Sequence, residues 1–575
     1  MYTASSALLE ALTEAGVSCV FANFGSDHPA LIEAIAGARH AGRAIPQIIT
    51  TPFEMVGLAA AQGYAQVSGR AQAVVVHVDC GTQSLAGAVH NAMRGRAPVL
   101  IFAGLSPATQ EGELPGSRNE FIHWLQDVPD QRGIVRQYVK YETELRTGAN
   151  IKQLVHRALQ IAQSDPKGPV YLTGAREVME SQTEPRDIRL DRWQPACATA
   201  LPQEIVREIV ATLAAARRPL AVTSYAGRKH AAVGELVQLC ERFGIGVLDS
   251  APHTLNFPHD HPLYQGAQWN EQQQNETLAE ADVVLVLDSD VPWIPTVNRP
   301  SPQARIFHVD VDVLKPSIPL WYIGAQRSCT ADVATALAQL NELAAQTTLE
   351  QSLIEERRAH YAERHRKRAA HLSRAEVTPG AHVSPEYLTA CVRGALRGDR
   401  SIVLSEGITN YGVISAHLMP TRPGSYFCSG GSSLGWNGGA AIGAKLAAPE
   451  STVVALTGDG SYMFSVPDTV HWMARRYGTP FLQVIYNNGG WNAPRFSASN
   501  VHPTGFASRS EHLDLDFTPA SDYSGVAAKA GAAFARVVRM PHEVEPAIEE
   551  ALHAVRVKGR CAVLDVWLNR GLKPA

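Results

Sequence analysis

The sequence has no Cys-x-x-Cys pair and no cluster of cysteines. Its eight cysteines (Cys19, Cys80, Cys197, Cys240, Cys329, Cys391, Cys428 and Cys561) are scattered along 575 residues. That scatter argues against a zinc site and a disulfide framework and suits a reducing compartment. An excess of either charge is also missing. The formal net charge is −4 and charged residues make up only 18%, so there is no electrostatic case for nucleic acid or an anionic membrane. No apolar run is long enough to span a bilayer. The opening MYTASSALLEALTEAGV has neither a basic n-region nor a long apolar core. We therefore expect no signal peptide and a cytoplasmic protein. What the chain does have is 45% apolar residues, enough to bury large cores, over a length that suggests several domains.

Strand-like apolar runs alternate with amphipathic stretches. Over residues 1–185 the runs are VSCVFANFG, IPQIITT, QAVVVHVD, PVLIFAG and GPVYLTG. Over 186–350 they are RPLAVTSYAG, GIGVLDS, DVVLVLDSD and ARIFHVDVD. Residues 351–385 contain LEQSLIEERRAHYAERHRKRAAHLSR, whose interleaved Glu and Arg read as a solvated linker helix. Over 386–575 the alternation returns with SIVLSEG, VVALTGDG, FLQVIYNN and CAVLDVWL. Alternation of this kind means βαβ units, so the expected fold class is α/β with three doubly wound parallel-sheet domains.

Two strand ends in the last domain carry chemistry. VVALTG and FLQVIYNN flank a helical stretch, so a right-handed crossover makes them parallel and ends both at one sheet edge. Asp459 and Asn488 then lie side by side although 29 positions separate them. A carboxylate, an amide oxygen and a backbone carbonyl form a small, hard oxygen set that suits Mg²⁺ when phosphates supply the remaining ligands. Gly458 ends the first strand; Gly460 and Ser461 open a helix whose free N–H groups, with the Ser461 hydroxyl, favour phosphate. The two signals together predict a metal–diphosphate site.

Gly458-Asp459-Gly460 followed by Asn487-Asn488 resembles the thiamine diphosphate motif of the enzyme family that includes benzoylformate decarboxylase, pyruvate decarboxylase and acetolactate synthase. The spacing is a residue or two longer than in the family. The resemblance implies that the three domains are pyrimidine-binding, central and diphosphate-binding, that thiamine diphosphate and Mg²⁺ are the cofactors, and that the metal ligands are Asp459, Asn488 and the carbonyl of Gly490. It implies a glutamate that hydrogen-bonds the pyrimidine ring; ITTPFEMVGLAAAQGYAQVSG makes Glu54 the candidate. In RPGSYFCSGGSSLGWNGGAAIGAKLAAP it implies Leu434 as the wedge that bends the cofactor and Ser432 as the carbonyl facing its amino group. VFANFGSDHP resembles a loop whose serine binds a substrate carboxylate, which points to Ser26 with His28 beside it. VVVHVDCGTQS places His77 where benzoylformate decarboxylase has an active-site histidine. FIHWLQDVPDQ makes Gln126 the nearest equivalent of a glutamine that touches the cofactor in the acetolactate synthase branch.

The implied reaction is cleavage or formation of a C–C bond next to a carbonyl. A 2-oxo acid decarboxylation with carboligation is favoured; ligation of two 2-oxo acids or a 2-hydroxyacyl-CoA lyase are the alternatives. The partners are then a small carbonyl compound and further copies of the chain, in a homodimer or homotetramer with shared active sites. The middle domain departs from flavin-binding relatives: LYQGAQWNEQ and LVLDSDVPWIP lack their arginine, and no FAD is favoured there. Residues 489–512 are unusually polar, and Trp491, Arg495 and His502 are candidates to line or cover the pocket. Two other classes remain open. Gly431-Ser432-Ser433-Leu434-Gly435 fits the nucleophile elbow of serine hydrolases but lacks a good preceding strand. A non-catalytic protein of the same fold is the other.

Overall fold

The computed structural model describes residues 2–377, 380–510 and 513–568. It contains three six-stranded parallel sheets. The first comprises β1 (Cys19–Ala22), β2 (Gln47–Thr50), β3 (Gln72–Val76), β4 (Val99–Leu105), β5 (Tyr141–Leu145) and β6 (Val170–Ala175), in the order β2-β1-β3-β4-β6-β5. The central sheet comprises β7 (Pro219–Thr223), β8 (Gly246–Ser250), β9 (Tyr264–Gln268), β10 (Val283–Leu287), β11 (Arg305–Asp310) and β12 (Arg327–Thr330), ordered β12-β11-β10-β7-β8-β9. The last comprises β13 (Ser401–Glu406), β14 (Tyr426–Cys428), β15 (Thr452–Gly458), β16 (Leu482–Asn487), β17 (Phe534–Val538) and β18 (Ala562–Trp567), ordered β14-β13-β15-β16-β18-β17. The expected α/β class with three parallel sheets is what the chain adopts. The core strands β3, β10 and β16 are buried along their lengths, and β4 in all but its last residue, as strands covered by helices on both faces must be.

The first and last sheets are joined face to face by two helices made of small residues, Glu54–Ser68 and Trp436–Ala447. They cross so closely that a Cβ on Gly443 would lie 1.8 Å from the Ala60 carbonyl oxygen, and one on Gly63 would lie 2.3 Å from that of Ala440. Glycine at these positions lets two backbones touch and brings the starts of the two helices together.

The charged stretch after the central sheet departs from expectation. It does form a helix, Gln351–Ala375, but it is not a freely solvated linker. Arg357 is fully buried, and its guanidinium donates to the carbonyls of Leu213, Ala214, Ala216 and Phe243. Tyr361 is buried alongside and donates to the Pro219 carbonyl at 2.8 Å. Charge density misled because an arginine can satisfy orphan carbonyls at the end of a neighbouring element.

Candidate functional site

In each sheet the strand order reverses at one place, and the crevice beyond the strand ends there is the natural ligand position. In the last sheet that place lies between β13 and β15, with β16 beyond. Asp459 begins the helix Asp459–Phe464 directly after β15 and is buried. Its Oδ2 accepts the Gly489 N–H at 2.8 Å and its Oδ1 the Gly460 N–H at 3.1 Å. Burial outweighs these backbone donors and pushes its carboxyl up to about 6. Among the described residues no cationic side chain pairs with it. Asn488 follows β16, donates through Nδ2 to Thr409 Oγ1 at 3.1 Å, and keeps its Oδ1 buried without a partner. A buried carboxylate lacking a counter-ion and an orphaned amide oxygen at neighbouring strand ends form a donor set that fits a hard divalent cation.

The turn is roofed. Trp491 follows Gly490 and stands against Gly460, where a Cβ would meet its ring at 2.3 Å. The ring also makes edge contacts with Phe464 and Phe517. Trp491 N–H donates to the Leu515 carbonyl at 2.7 Å and Phe517 N–H to that of Gly489 at 3.0 Å. The chain therefore leaves the turn and returns to it at the same point. The excursion is not a plain loop: it contains the helices Asn492–Val501 and Phe506–Arg509. Arg495 lies on the first with no ion pair among the described residues; His502 caps its end and is exposed. Residues 511 and 512, the end of the stretch singled out in the sequence, lie outside the described residues.

The loop between β14 and the helix Trp436–Ala447 is held from below. Asn91 brackets Ser433, donating to its carbonyl at 2.8 Å and accepting its N–H at 2.9 Å. His90 bonds the Gly431 carbonyl at 3.2 Å. Ser432 sits between them at φ +59°, and its carbonyl accepts nothing among the described residues. That leaves it free for an external donor. Leu434 is half-buried at the foot of the loop. Among the described residues no His or Asp bonds the Ser433 hydroxyl, which gives the nucleophile-elbow reading no support. Sequence reading passed over Glu406, at the end of β13. It is fully buried and accepts the N–H groups of Gly435 at 2.5 Å and Asn437 at 2.6 Å, fixing the helix start, while burial pushes its carboxyl up to about 8.

In the first sheet the matching crevice lies between β1 and β3. Glu54 opens its helix there, buried, with Asn23 Nδ2 donating to Oε1 at 2.9 Å. Burial raises its carboxyl above the usual range, against its own helix N–H, the nearby His77 and Asn23. His77 follows β3; its Cβ and Glu54 Oε1 both border Gly81, within 3.2 Å of where a Cβ would stand. His77 Nδ1 is hydrogen-bonded to Asp27 Oδ1, and Nε2 lies 2.7 Å from Gln126 Oε1. Structure thus brings together His77 and Gln126, 49 positions apart. Ser26 is half-buried with its hydroxyl unpartnered. His28 is buried between Phe24 and Phe102, with Nδ1 3.0 Å from Asp27 Oδ1. Asp27, the hub of this group, was missed. It looked like one more loop residue in GSDHP, and only the fold shows that it faces β3.

The central crevice, between β7 and β10, is filled by the chain itself. Arg96, from the turn before β4, reaches into it and pairs with Asp288 at 3.2 Å, Asp310 at 3.0 Å and Asp290 at 3.3 Å. Lys315, fully buried, adds bonds to Asp310 at 2.5 Å and Asp290 at 2.9 Å.

Comparison with known proteins agrees across the chain. Three models of one family match it: "Thiamine pyrophosphate enzyme, N-terminal TPP binding domain" over residues 2–134, the central domain over 206–340, and the C-terminal TPP binding domain over 407–566. Acetolactate synthase isozyme 3 large subunit of Escherichia coli (strain K12) is 23% identical, covering 99% of this chain and 95% of that protein. Benzoylformate decarboxylase of Pseudomonas aeruginosa is 26% identical, covering 87% and 88%. The solved thiamine diphosphate-dependent 4-hydroxybenzoylformate decarboxylase of Rhodococcus jostii RHA1 shares the fold with TM-score 0.78 at 22% identity, covering 99% of this chain and 100% of that one.

Proposed function

The chain belongs to the thiamine pyrophosphate enzyme family, and from that premise we propose that it is a thiamine diphosphate- and Mg²⁺-dependent enzyme that decarboxylates a 2-oxo acid, with carboligation to an aldehyde as a side reaction. The observation that carries this reading is the pairing of two features. One is the cation-hungry turn of Asp459 and Asn488; the other is an imidazole, His77, beside Glu54.

When bound, thiamine diphosphate supplies a thiazolium carbon that adds to the substrate carbonyl and an electron sink for the bond that breaks. The protein's part is holding and proton handling. Asp459, Asn488 and the Gly490 carbonyl would ligate Mg²⁺, with Gly458, Gly460 and Ser461 around the diphosphate. Ser432 and Leu434 would orient the pyrimidine. Glu54, kept protonated more readily than a surface carboxyl by its burial, would hold a proton on the pyrimidine nitrogen. Ser26, whose hydroxyl has no internal partner, would bind the substrate carboxylate. His77 would give or take the proton at the reacting centre. The filled central crevice is our reason to propose that no flavin binds there; an absorbance scan of purified protein checks it. We also propose a homodimer or homotetramer, which light scattering tests.

The function is tested by supplying thiamine diphosphate and Mg²⁺ with a panel of aliphatic and aromatic 2-oxo acids, with and without acceptor aldehydes. Release of CO₂ and aldehyde from a single 2-oxo acid is expected. Consumption only when two 2-oxo acids are joined would replace it by the ligation reading, which the similarity to acetolactate synthase supports. Inertness towards the whole panel would sink both.

A further inference from the structure

We propose that Asp27 and Gln126 together hold His77 as a doubly protonated imidazolium, and that the Nε2 proton so held is the one delivered to the substrate. Asp27 is then a positioning residue and the Gln126 amide a two-position gate. The inference rests on the reading above only for what receives the proton.

The geometry accommodates a doubly protonated ring. Both ring nitrogens of His77 face oxygen: Asp27 Oδ1 at Nδ1, and Gln126 Oε1 at 2.7 Å from Nε2. A carboxylate only accepts, so Nδ1 carries a hydrogen, and with the Gln126 amide turned oxygen-inward Nε2 carries one as well. Asp27 is fixed in place. Its side chain is 1% exposed, and its other oxygen accepts the Val78 N–H at 3.2 Å. The space it needs exists because residues 25 and 104 are glycine: a Cβ on Gly104 would lie 1.7 Å from Asp27 Oδ2, and one on Gly25 2.0 Å from His77 Nδ1. His28 meets the same carboxylate from below, and Asp79 and Glu54 are the other acids facing the ring. His123, held 3.1 Å from the Arg176 guanidinium, also feels the charge of Asp27. Burial works against a charged His77, but the bond to Asp27 and its charge outweigh it and raise the ring above the ordinary histidine value. Burial likewise works against an ionised Asp27, and its two histidines hold it well below the usual carboxylate range.

Gln126 gives the held proton an exit. Its amide offers oxygen to the charged ring; turned over, it offers N–H to the lone pair of the neutral ring. One side chain thus serves both states. The His77 side chain is 19% exposed, so a small substrate group can displace Gln126 and meet Nε2–H. The Nε2–H bond breaks as a C–H or O–H bond forms on the substrate. The ring's electron pair stays on Nε2, Nδ1–H stays on Asp27, which remains ionised throughout, and water later returns the proton.

The test uses full-length protein labelled with ¹⁵N-histidine, with the His77→Ala spectrum identifying the ring signals. In the cofactor-free protein, His77 should stay doubly protonated above the pH near 6.5 at which a free histidine titrates. Asp27→Asn should move the titration to lower pH, and Gln126→Leu should move it the same way by less. In the holoenzyme the falling alkaline limb of kcat should follow these shifts. At pH 7.5 kcat for Asp27→Asn should drop about a hundredfold, the lower end of the range for general acid–base groups, while KM stays within about twofold. A His77 that titrates at or below 6.5 overturns the proposal, as does an unmoved titration in Asp27→Asn. Should Asp27→Asn not fold, Gln126→Leu decides, and an unmoved titration there overturns it. If no 2-oxo acid is turned over but the titration tracks Asp27 and Gln126, the substrate reading fails and the proton-holding arrangement stands.

Discussion

In the first sheet the third strand ends at Val76 and hands over to His77; in the last sheet, built in the same strand order, the third strand ends at Gly458 and hands over to Asp459. The two positions are equivalent, and their surroundings treat charge in opposite ways. Around His77 the buried Asp27 carboxylate has internal partners: it sits between two imidazoles and accepts the Val78 N–H. Around Asp459 the partners are backbone N–H groups alone, and the Asn488 amide oxygen nearby has none. A third variant is the central crevice, where the chain inserts its own cations, Arg96 and Lys315, among three carboxylates. One α/β crevice can therefore be finished by the protein or left for something from solution. The deciding feature is whether buried charge is neutralised from within.

This contrast is open to attack at each crevice. The largest effect is expected where solution must finish the job. With thiamine diphosphate and Mg²⁺ at about 100 times their dissociation constants, the wild type should gain about 2.7 kcal/mol of stability; EDTA or Asp459→Ala should abolish both that gain and all turnover. A thermal shift series measures it, and an unchanged gain in Asp459→Ala would break the comparison. Next, Glu54→Gln should lower kcat by about 10²–10⁴-fold, the span for a proton-handling carboxyl, with the cofactor-induced stability gain retained. Arg96→Met should cost about 3–5 kcal/mol, because it strands buried carboxylates; a denaturant midpoint within error of wild type would show that the central crevice is not self-neutralised. Smallest is Gly443→Ala, which overpacks the helix crossing between the first and last sheets and should cost about 1–3 kcal/mol.

The parallel sheets were legible because buried strands must be apolar throughout and helices between them amphipathic. Asp459 and Asn488 were legible because a crossover places both at one edge whatever lies between. Asp27 and Glu406 were not. Each is a single acid in a short stretch, and its role arises only when a neighbouring strand end or helix start turns to face it. Arg96 was hidden for the same reason: its acids come from another domain, the nearest of them 192 positions away. Arg357 was masked by the many charged residues around it that do remain exposed. Sequence pattern reports what an element does to its own faces; it is silent on a single side chain that crosses to another element.

The excursion that departs after Trp491 and comes back at Leu515 has its two feet clipped together. Lengthening, shortening or exchanging what lies between would leave Asn488 and Gly490 where they are, since the clip rather than the intervening residues sets their position. The arrangement works like a socket with a removable cap: the cap can be exchanged with the turn beneath undisturbed.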